Sequence, residues 1–399
     1  MKKMKKDIIY IANNTFPNNT AYATRVLYFC KMFQHLNYRV TVISQEGDKS
    51  LYEYIRAQKI ELIHFAPITS GIKANFKNTF YSHRKLEELL LKYLDKRKPE
   101  VVVLGSGFSH LFLPVKRILN KYNIPLVVEI GEWYDAKQLA LGPVGPFYWD
   151  NRIAMHYLYK KSDGIIAISE YLSKYYRNCG TKTIRIPTIL DIEKYNKEYK
   201  NLSEKIIITY AGFPAKKKDY IDKVIIAIAE DSYLRSSIKL QIIGPNREHI
   251  EKLLGKKKYL LQNSDDFIEI LGKVNQEDVS KFVTNSNFTI LLRPNKRYAN
   301  AGFPTKVAES LACGTPVISN LTSDIGMYVK NEKSGVIIEK CSVESVKRTL
   351  KQIIDEQLDK NLAMRSLSKK IAKESFDYRN YTNSMKAFIE EITYLRKTK

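Results

Sequence analysis

The chain holds 399 residues, 44% hydrophobic and 27% charged, which is the balance of an ordinary globular protein long enough for two domains that bury their own cores. Its formal charge is +24, with 32 Lys and Arg against 18 Asp and Glu in residues 1–200 and 34 against 24 in residues 201–399. Such an excess favours an anionic partner: a diphosphate-bearing substrate first, an anionic membrane surface second, and nucleic acid third, since no RNP-type, zinc-finger or helix-turn-helix pattern is present.

Residues 1–6 are basic, but the segment that follows, 7–14, is too short and polar for a signal core. No apolar run approaches the length of a membrane span. The expectation is a cytoplasmic protein that does not cross a membrane, with peripheral contact on its inner face left open. Short β-branched runs at 8–12, 39–44, 60–65, 101–104, 126–130 and 164–169 predict buried strands. Helical patterns such as 21–36 and 82–96 lie between them, and this alternation implies parallel strands with crossover helices.

Three places in this half sit where strands end. Asn19 and Thr20 lie in the loop after the first strand. His110 follows the Gly105, Ser106, Gly107 loop. Glu132 and Asp135 leave the strand at 126–130. Carboxylates at a strand end suit acid–base chemistry or an acceptor pocket, and equally a salt-bridged loop.

A polar stretch at 191–205, without Gly or Pro, marks the boundary, and the alternation then restarts. Strands are predicted at 206–210, 239–243, 268–271, 288–292, 315–319 and 335–338, and helices at 342–356, 362–374 and 379–396. The domains expected are 1–195 with a returning C-terminal helix 379–399, and 200–378. The fold class is α/β: two doubly wound, Rossmann-like domains facing a cleft, with ligands at the carboxyl ends of strands. Cys30, Cys179, Cys313 and Cys341 form no C-x-x-C pair and read as reduced thiols.

The segment richest in chemistry runs from Leu291 to Ile318. It reads as a strand, a polar loop, a glycine turn, a helix, and a Gly-Thr-Pro turn into another strand. Pro304 fits the first turn of the helix, where its missing N–H is harmless. Gly302 permits close approach of the backbone. The N–H groups around Phe303, Pro304, Thr305 and Lys306 then face an anion such as a diphosphate. Glu309, a turn and a half further on, suits vicinal sugar hydroxyls, and Gly314 ends the helix.

The stretch 302–317, G-F-P-T-K-V-A-E-S-L-A-C-G-T-P-V, resembles the donor-site signature of family 4 glycosyltransferases, in the branch of bacterial surface and capsular polysaccharide biosynthesis. The resemblance implies a two-domain GT-B fold. It also implies transfer with retention of anomeric configuration from a nucleotide-diphosphate sugar to a glycan or lipid-linked acceptor, with no bound metal and no cofactor. Glu309 matches the second Glu of the family's E-x7-E motif, implied to hold the donor ribose; the first falls on Ala301, a departure at the sugar-contacting end. Gly212 at a strand end and Lys218 six residues on match the family's phosphate-binding turn, whose usual Arg is here Phe213. Arg293 is the replacement cation. Asn19 and Thr20 stand where the family has Gly-Gly, and with His110 and Asp135 form the acceptor side. Gly131 stands near the family's His, which leaves Glu132 as the acid–base candidate beside Lys218 and Arg293.

The chemistry explains the cations. A nucleoside diphosphate gains negative charge as it leaves, and without a metal that charge falls to lysines, arginines and helix N–H groups. No Asp-x-Asp triplet occurs in the chain. The alternatives are a nucleotide-sugar epimerase of the same fold and a non-catalytic nucleotide-sugar-binding subunit, the latter suggested by Ala301.

Overall fold

A computed structural model describes residues 6–66, 72–106, 109–200, 203–214, 218–360 and 362–398. Most of the basic start (residues 1–5), Gly107 and the lysines at 216 and 217 lie outside the described residues. The chain divides into two compact units: Met1–Ile189 with Tyr378–Lys399, and Leu190–Asp377.

Unit 1 is a seven-stranded, all-parallel sheet. Its strands are β1 (Asp7–Phe16), β2 (Arg39–Glu46), β3 (Ile60–Ala66), β4 (Val101–Gly105), β5 (Leu126–Ile130), β6 (Gly164–Ala167) and β7 (Thr183–Arg185). Their order in space is β3-β2-β1-β4-β5-β6-β7. The strands read as unbroken apolar runs because helices cover both faces of such a sheet: Ile8, Ile9, Tyr10 and Ile11 are fully buried, as are Val101 and Leu126. Strand β7 escapes a search for apolar runs, since Thr183-Ile184-Arg185 holds one apolar residue and sits half-buried at the sheet edge. The second helix predicted in this half is longer than its pattern, Ile72–Leu94.

The chain's last helix, Thr382–Lys397, belongs to unit 1. Its Phe388 and Ile392 press on Gly164, where an added Cβ would collide with the Phe388 ring. Arg396 and Lys116 both pair with Asp163, at 3.3 and 2.7 Å.

Unit 2 has β8 (Ile206–Ala211), β9 (Ile238–Ile243), β10 (Ile268–Gly272), β11 (Phe288–Leu291), β12 (Val317–Ser319) and β13 (Gly335–Ile337), all parallel, in the order β10-β9-β8-β11-β12-β13. Strand β12 starts two residues later than predicted, because Thr315 and Pro316 form the turn into it. Unit 2 begins and ends side by side: the Leu190 N–H donates to the Phe376 carbonyl at 2.7 Å, and Leu190 bridges Asp377.

Each strand order reverses direction once, between β1 and β4 in unit 1 and between β8 and β11 in unit 2. In open α/β sheets the crevice at that switch point, outside the carboxyl ends of the strands, is where ligands bind. Among the described residues no helix is long and apolar enough to cross a membrane.

Candidate functional site

The switch point of unit 2 gathers charge. Gly212 follows β8 with φ +140°, a backbone open to glycine, and a Cβ there would run into the Lys306 side chain. The space a side chain would fill is occupied by the lysine. Lys306 Nζ lies 3.0 Å from Asp219 Oδ2, donates to the Tyr210 hydroxyl at 3.0 Å, and sits 4.3 Å from the centre of that ring. Tyr210, fully buried on β8, donates its own O–H to Asp219 at 2.7 Å. Arg293, just past β11, approaches the same carboxylate with Nε 3.6 Å from Oδ1.

One buried carboxylate therefore faces two cations and a phenol. Burial pushes the Asp219 carboxyl up, but Lys306, the Tyr210 hydroxyl and Arg293 outweigh it and hold the group below its ordinary range. Lys306 moves down as well. It loses water by burial, regains part of the loss from Asp219, and feels repulsion from Arg293 and Lys218. The two directions are compatible, because the carboxylate is surrounded by donors whereas the ammonium has like charges for neighbours. Burial and Asp219 together push the Tyr210 phenol up, so it stays protonated and donating. The site thus has more cations than anions.

The helix Thr305–Ala312 carries the rest. Pro304 lies one residue before its first turn, as the cap, with φ −74° and ψ 111°. Gly302 has φ −87° and ψ 173°, an extended conformation open to any residue. Gly314 is different: at φ +71° it closes the helix, with its N–H donating to Leu311 and that of Thr315 to Ser310, a Schellman arrangement. The hydroxyls of Ser310 and Thr289 meet at 2.6 Å and tie the helix to β11. Glu309 keeps part of its surface exposed and receives no side-chain hydrogen bond among the described residues. Burial pushes its carboxyl up to about 7, against a smaller opposing pull from Lys306.

Several residues named from the sequence lie elsewhere or face another way. Phe303 points into an aromatic trio with Tyr328 and Phe376, so only its backbone remains for a ligand. Arg293 is 6% exposed, and its main chain is clamped by Asn320 through two hydrogen bonds of 2.8 and 2.9 Å. Its guanidinium serves Asp219 first. Lys306 was selected for its backbone, yet its side chain is the more accessible cation, 30% exposed. Lys218 is half-buried beside it, and Phe213 turns outward against His249. Asp219 and Tyr210 join the site only through the fold. A signal existed in the acid directly after the lysine run, but nothing in one dimension joins residues 210, 219, 293 and 306.

In unit 1 the acceptor-side candidates are tied into local structure. Thr20 caps the helix Ala21–His35 by accepting from the Ala23 N–H at 3.3 Å, and is itself held by Asn18; Asn19 is exposed. His110 Nδ1 lies 4.0 Å from Asp150, whose carboxylate takes the Ser109 N–H and hydroxyl. Asp135 caps a short turn at 136–138. Glu132 is exposed and neighbours Tyr134, whose phenol it helps push up after burial has done most of that work. Asn19 and Thr20 after β1, and His110 after β4, do share the switch point of unit 1. Among the described residues no cluster of His, Cys, Asp or Glu has the makings of a metal site.

Unit 1 also holds a network the sequence did not reveal. Arg25 pairs with Glu129 at 2.8 Å and donates to the carbonyls of Pro187 and Ile186 at 2.5 and 2.9 Å; the Tyr10 hydroxyl donates to Glu129 at 3.3 Å.

Two doubly wound units, one with a surplus of cations at its switch point, make a scaffold suited to an anionic ligand. The family comparisons make this specific. Residues 23–194 match the model of Glycosyltransferase Family 4, and residues 191–373 match that of Glycosyl transferases group 1. The chain is a glycosyltransferase of the GT-B fold. Solved structures agree on the fold. A sucrose-phosphate synthase from Thermosynechococcus elongatus superposes with a TM-score of 0.76 at 13% identity over 98% of this chain and all of that one. Anabaena HepE in complex with UDP gives 0.69 at 13% over 97% and 100%. WaaG, a glycosyltransferase involved in lipopolysaccharide biosynthesis, gives 0.61 at 14% over 97% and 99%. Comparison with curated protein sequences finds no match.

Proposed function

We infer that the chain moves a sugar from a nucleoside-diphosphate donor to a glycan or lipid-linked acceptor during assembly of a bacterial surface polysaccharide, with retention at the anomeric carbon and without a resident metal. One observation carries this reading: Arg293 and Lys306 converge on a single carboxylate, Asp219, at the switch point of unit 2, with Lys218 close enough to repel the Lys306 ammonium, so that cations outnumber anions there. That UDP is bound in the HepE structure, and that WaaG acts in lipopolysaccharide biosynthesis, supports the reading.

In this mechanism Lys306 and Lys218 meet the donor diphosphate, and Arg293 adds charge from behind Asp219. The N–H groups opening the helix Thr305–Ala312 complete the cradle. As the bond between the anomeric carbon and the phosphate oxygen breaks, the electron pair goes to the phosphate, and these groups stabilise it. The acceptor oxygen bonds to the same face of that carbon. Its proton passes to the departing phosphate, because Gly131 stands near where the resemblance places a His. Glu309 accepts the ribose hydroxyls, for which an unbonded carboxylate at this position is suited. Ala301 is fully buried, so the sugar-contacting end differs from the usual pattern.

A thermal-shift series with UDP, GDP and their sugars tests the reading. Stabilisation by one nucleotide is expected, and no response to any of them overturns it. Turnover of the responding donor should collapse in Lys218→Ala, and unchanged turnover removes that lysine from the site. Binding without transfer or hydrolysis would favour a non-catalytic subunit, and release of an epimerised nucleotide sugar without acceptor would favour an epimerase.

A further inference from the structure

Between β5 and β6, unit 1 leaves large apolar side chains in water. Leu141 is 74% exposed, Val144 84%, Trp149 52%, Ile153 45% and Tyr157 66%. Trp149, Ile153 and Tyr157 are spaced by four residues along the helix Pro146–Ile153 and its continuation Ala154–Leu158. That spacing lines them up on one side. Asn151, Ala154, Met155 and Leu158 are the buried residues of the same stretch. The helix is therefore apolar on two faces, and an ordinary surface helix would show a polar one to solvent.

The turn before the helix extends the feature. Leu141 has φ +62°, in the left-handed region where a bulky side chain is an outlier. An added Cβ on Gly145 would lie 2.9 Å from the Leu141 Cβ, so the turn folds Leu141 back beside the start of the helix. A strained backbone that presents a leucine to water points to a use outside the isolated fold.

Charge identifies the occupant. Residues 136–162 hold Lys137, Arg152, Lys160 and Lys161, and a single acid, Asp150, which is engaged by Ser109. Of the acids that flank this stretch, Asp135 caps the turn at 136–138, Asp163 is paired with Lys116 and Arg396, and Glu132 is the exposed one. Lys137, Arg152 and Lys161 are exposed, and Arg152 lies 5.6 Å from the Trp149 ring centre. An apolar stripe with Trp and Tyr and a basic rim, with no exposed carboxylate between residues 136 and 162, matches the interface of an anionic bilayer. We propose that Leu141, Val144, Trp149, Ile153 and Tyr157 seat this protein on an anionic phospholipid surface, with Lys137, Arg152 and Lys161 at the headgroups. This deepens the proposed function and rests on it only for its purpose, which is to hold the enzyme beside a membrane-borne acceptor.

The test uses the full chain and two vesicle types, phosphatidylcholine alone and phosphatidylcholine mixed with phosphatidylglycerol. Co-sedimentation should be strong with the mixed vesicles, weak with the neutral ones, and reduced by salt. Trp149 is the exposed one of two tryptophans, and its emission should shift to the blue on binding. The double variant Leu141→Asp, Ile153→Asp should lose about tenfold or more of the vesicle affinity, with its UDP thermal shift unchanged. Equal binding to both vesicle types overturns the anionic assignment. No binding to either, with a wild-type dimer that the double variant dissolves in sedimentation velocity, overturns the proposal in favour of a contact between copies. Vesicle binding by a chain that ignores every nucleotide keeps the docking surface and sinks the donor site instead.

Discussion

The first strand of each unit carries a buried tyrosine that donates to a carboxylate beside a cation, and the two sites differ in their charge balance. In unit 1, Tyr10 and Arg25 converge on Glu129, one cation to one anion, with side chains 9% and 2% exposed. In unit 2, Tyr210, Lys306 and Arg293 converge on Asp219, with Lys218 close by. The balanced pair is sealed, and its leftover N–H groups hold the carbonyls of residues 186 and 187, just before the chain leaves unit 1. The unbalanced cluster has positive charge to spare and a lysine that still reaches solvent. Similar parts thus make a structural tie in one unit and, in the proposed function, an anion site in the other.

The strongest way to break the comparison is Arg25→Ala. It leaves Glu129 buried without its cation and should cost about 3–5 kcal/mol of unfolding free energy. Urea titration followed by circular dichroism measures it, and a cost near zero would show that the pair is not sealed. Nucleotide affinity in whatever remains folded should be unchanged.

Lys306→Ala strikes the other site. It should lower the transfer rate by about 10²–10³-fold, read in steady-state assays with the donor found by thermal shift, with a smaller stability loss than in Arg25→Ala because Arg293 and Tyr210 still face Asp219. A large stability loss with normal turnover would make Lys306 a structural ion instead.

Asp219→Asn sharpens the contrast, because it leaves the cations without a counter-charge. A loss of about 1–3 kcal/mol is expected in the free protein, and saturating nucleotide should recover much of it. An unrecovered loss would argue that the cations do not meet the diphosphate.

The smallest effect concerns Glu309. Its carboxyl, raised to about 7 from an ordinary 4.5, is neutral in both folded and unfolded chains at low pH. As pH rises from 4.5 through about 7 the unfolded chain gives up this proton while the fold, where burial disfavours charge, still holds it, so that stability is lost across that window and levels off above it. Glu309→Gln should therefore be more stable than the parent above pH 7 and no better well below 4.5. Ribose hydroxyls favour the ionised form, so nucleotide affinity should rise a few-fold as the pH rises through about 7 in the parent and stay flat in the variant. Calorimetry across that range measures it, and a parent as flat as the variant would place the ribose elsewhere.

Much of the fold was legible because parallel strands covered on both faces are rich in apolar residues, and among the described residues twelve of the thirteen strands hold a short apolar run, even the half-buried edges β3 and β10. Strand β7 was not, since an edge strand needs little burial. The donor helix, its glycine stop at Gly314 and Glu309 were legible too, because capping and turn chemistry act between near neighbours. The ion networks were hidden. Arg25 and Glu129 are 104 positions apart, and Lys306 and Asp219 are 87 apart.

The alternation of strands and helices, the two-unit organisation and the cationic character of the second half's strand ends are all written in the order of the residues. These follow from local periodicity, backbone preference and net charge. Only the tertiary structure decided which cations share a carboxylate, that Phe303 turns inward while the Lys306 side chain fills the space beside Gly212, and which apolar side chains are left in water. Those outcomes depend on which strand ends become neighbours, and a parallel sheet brings together residues that lie tens to hundreds of positions apart.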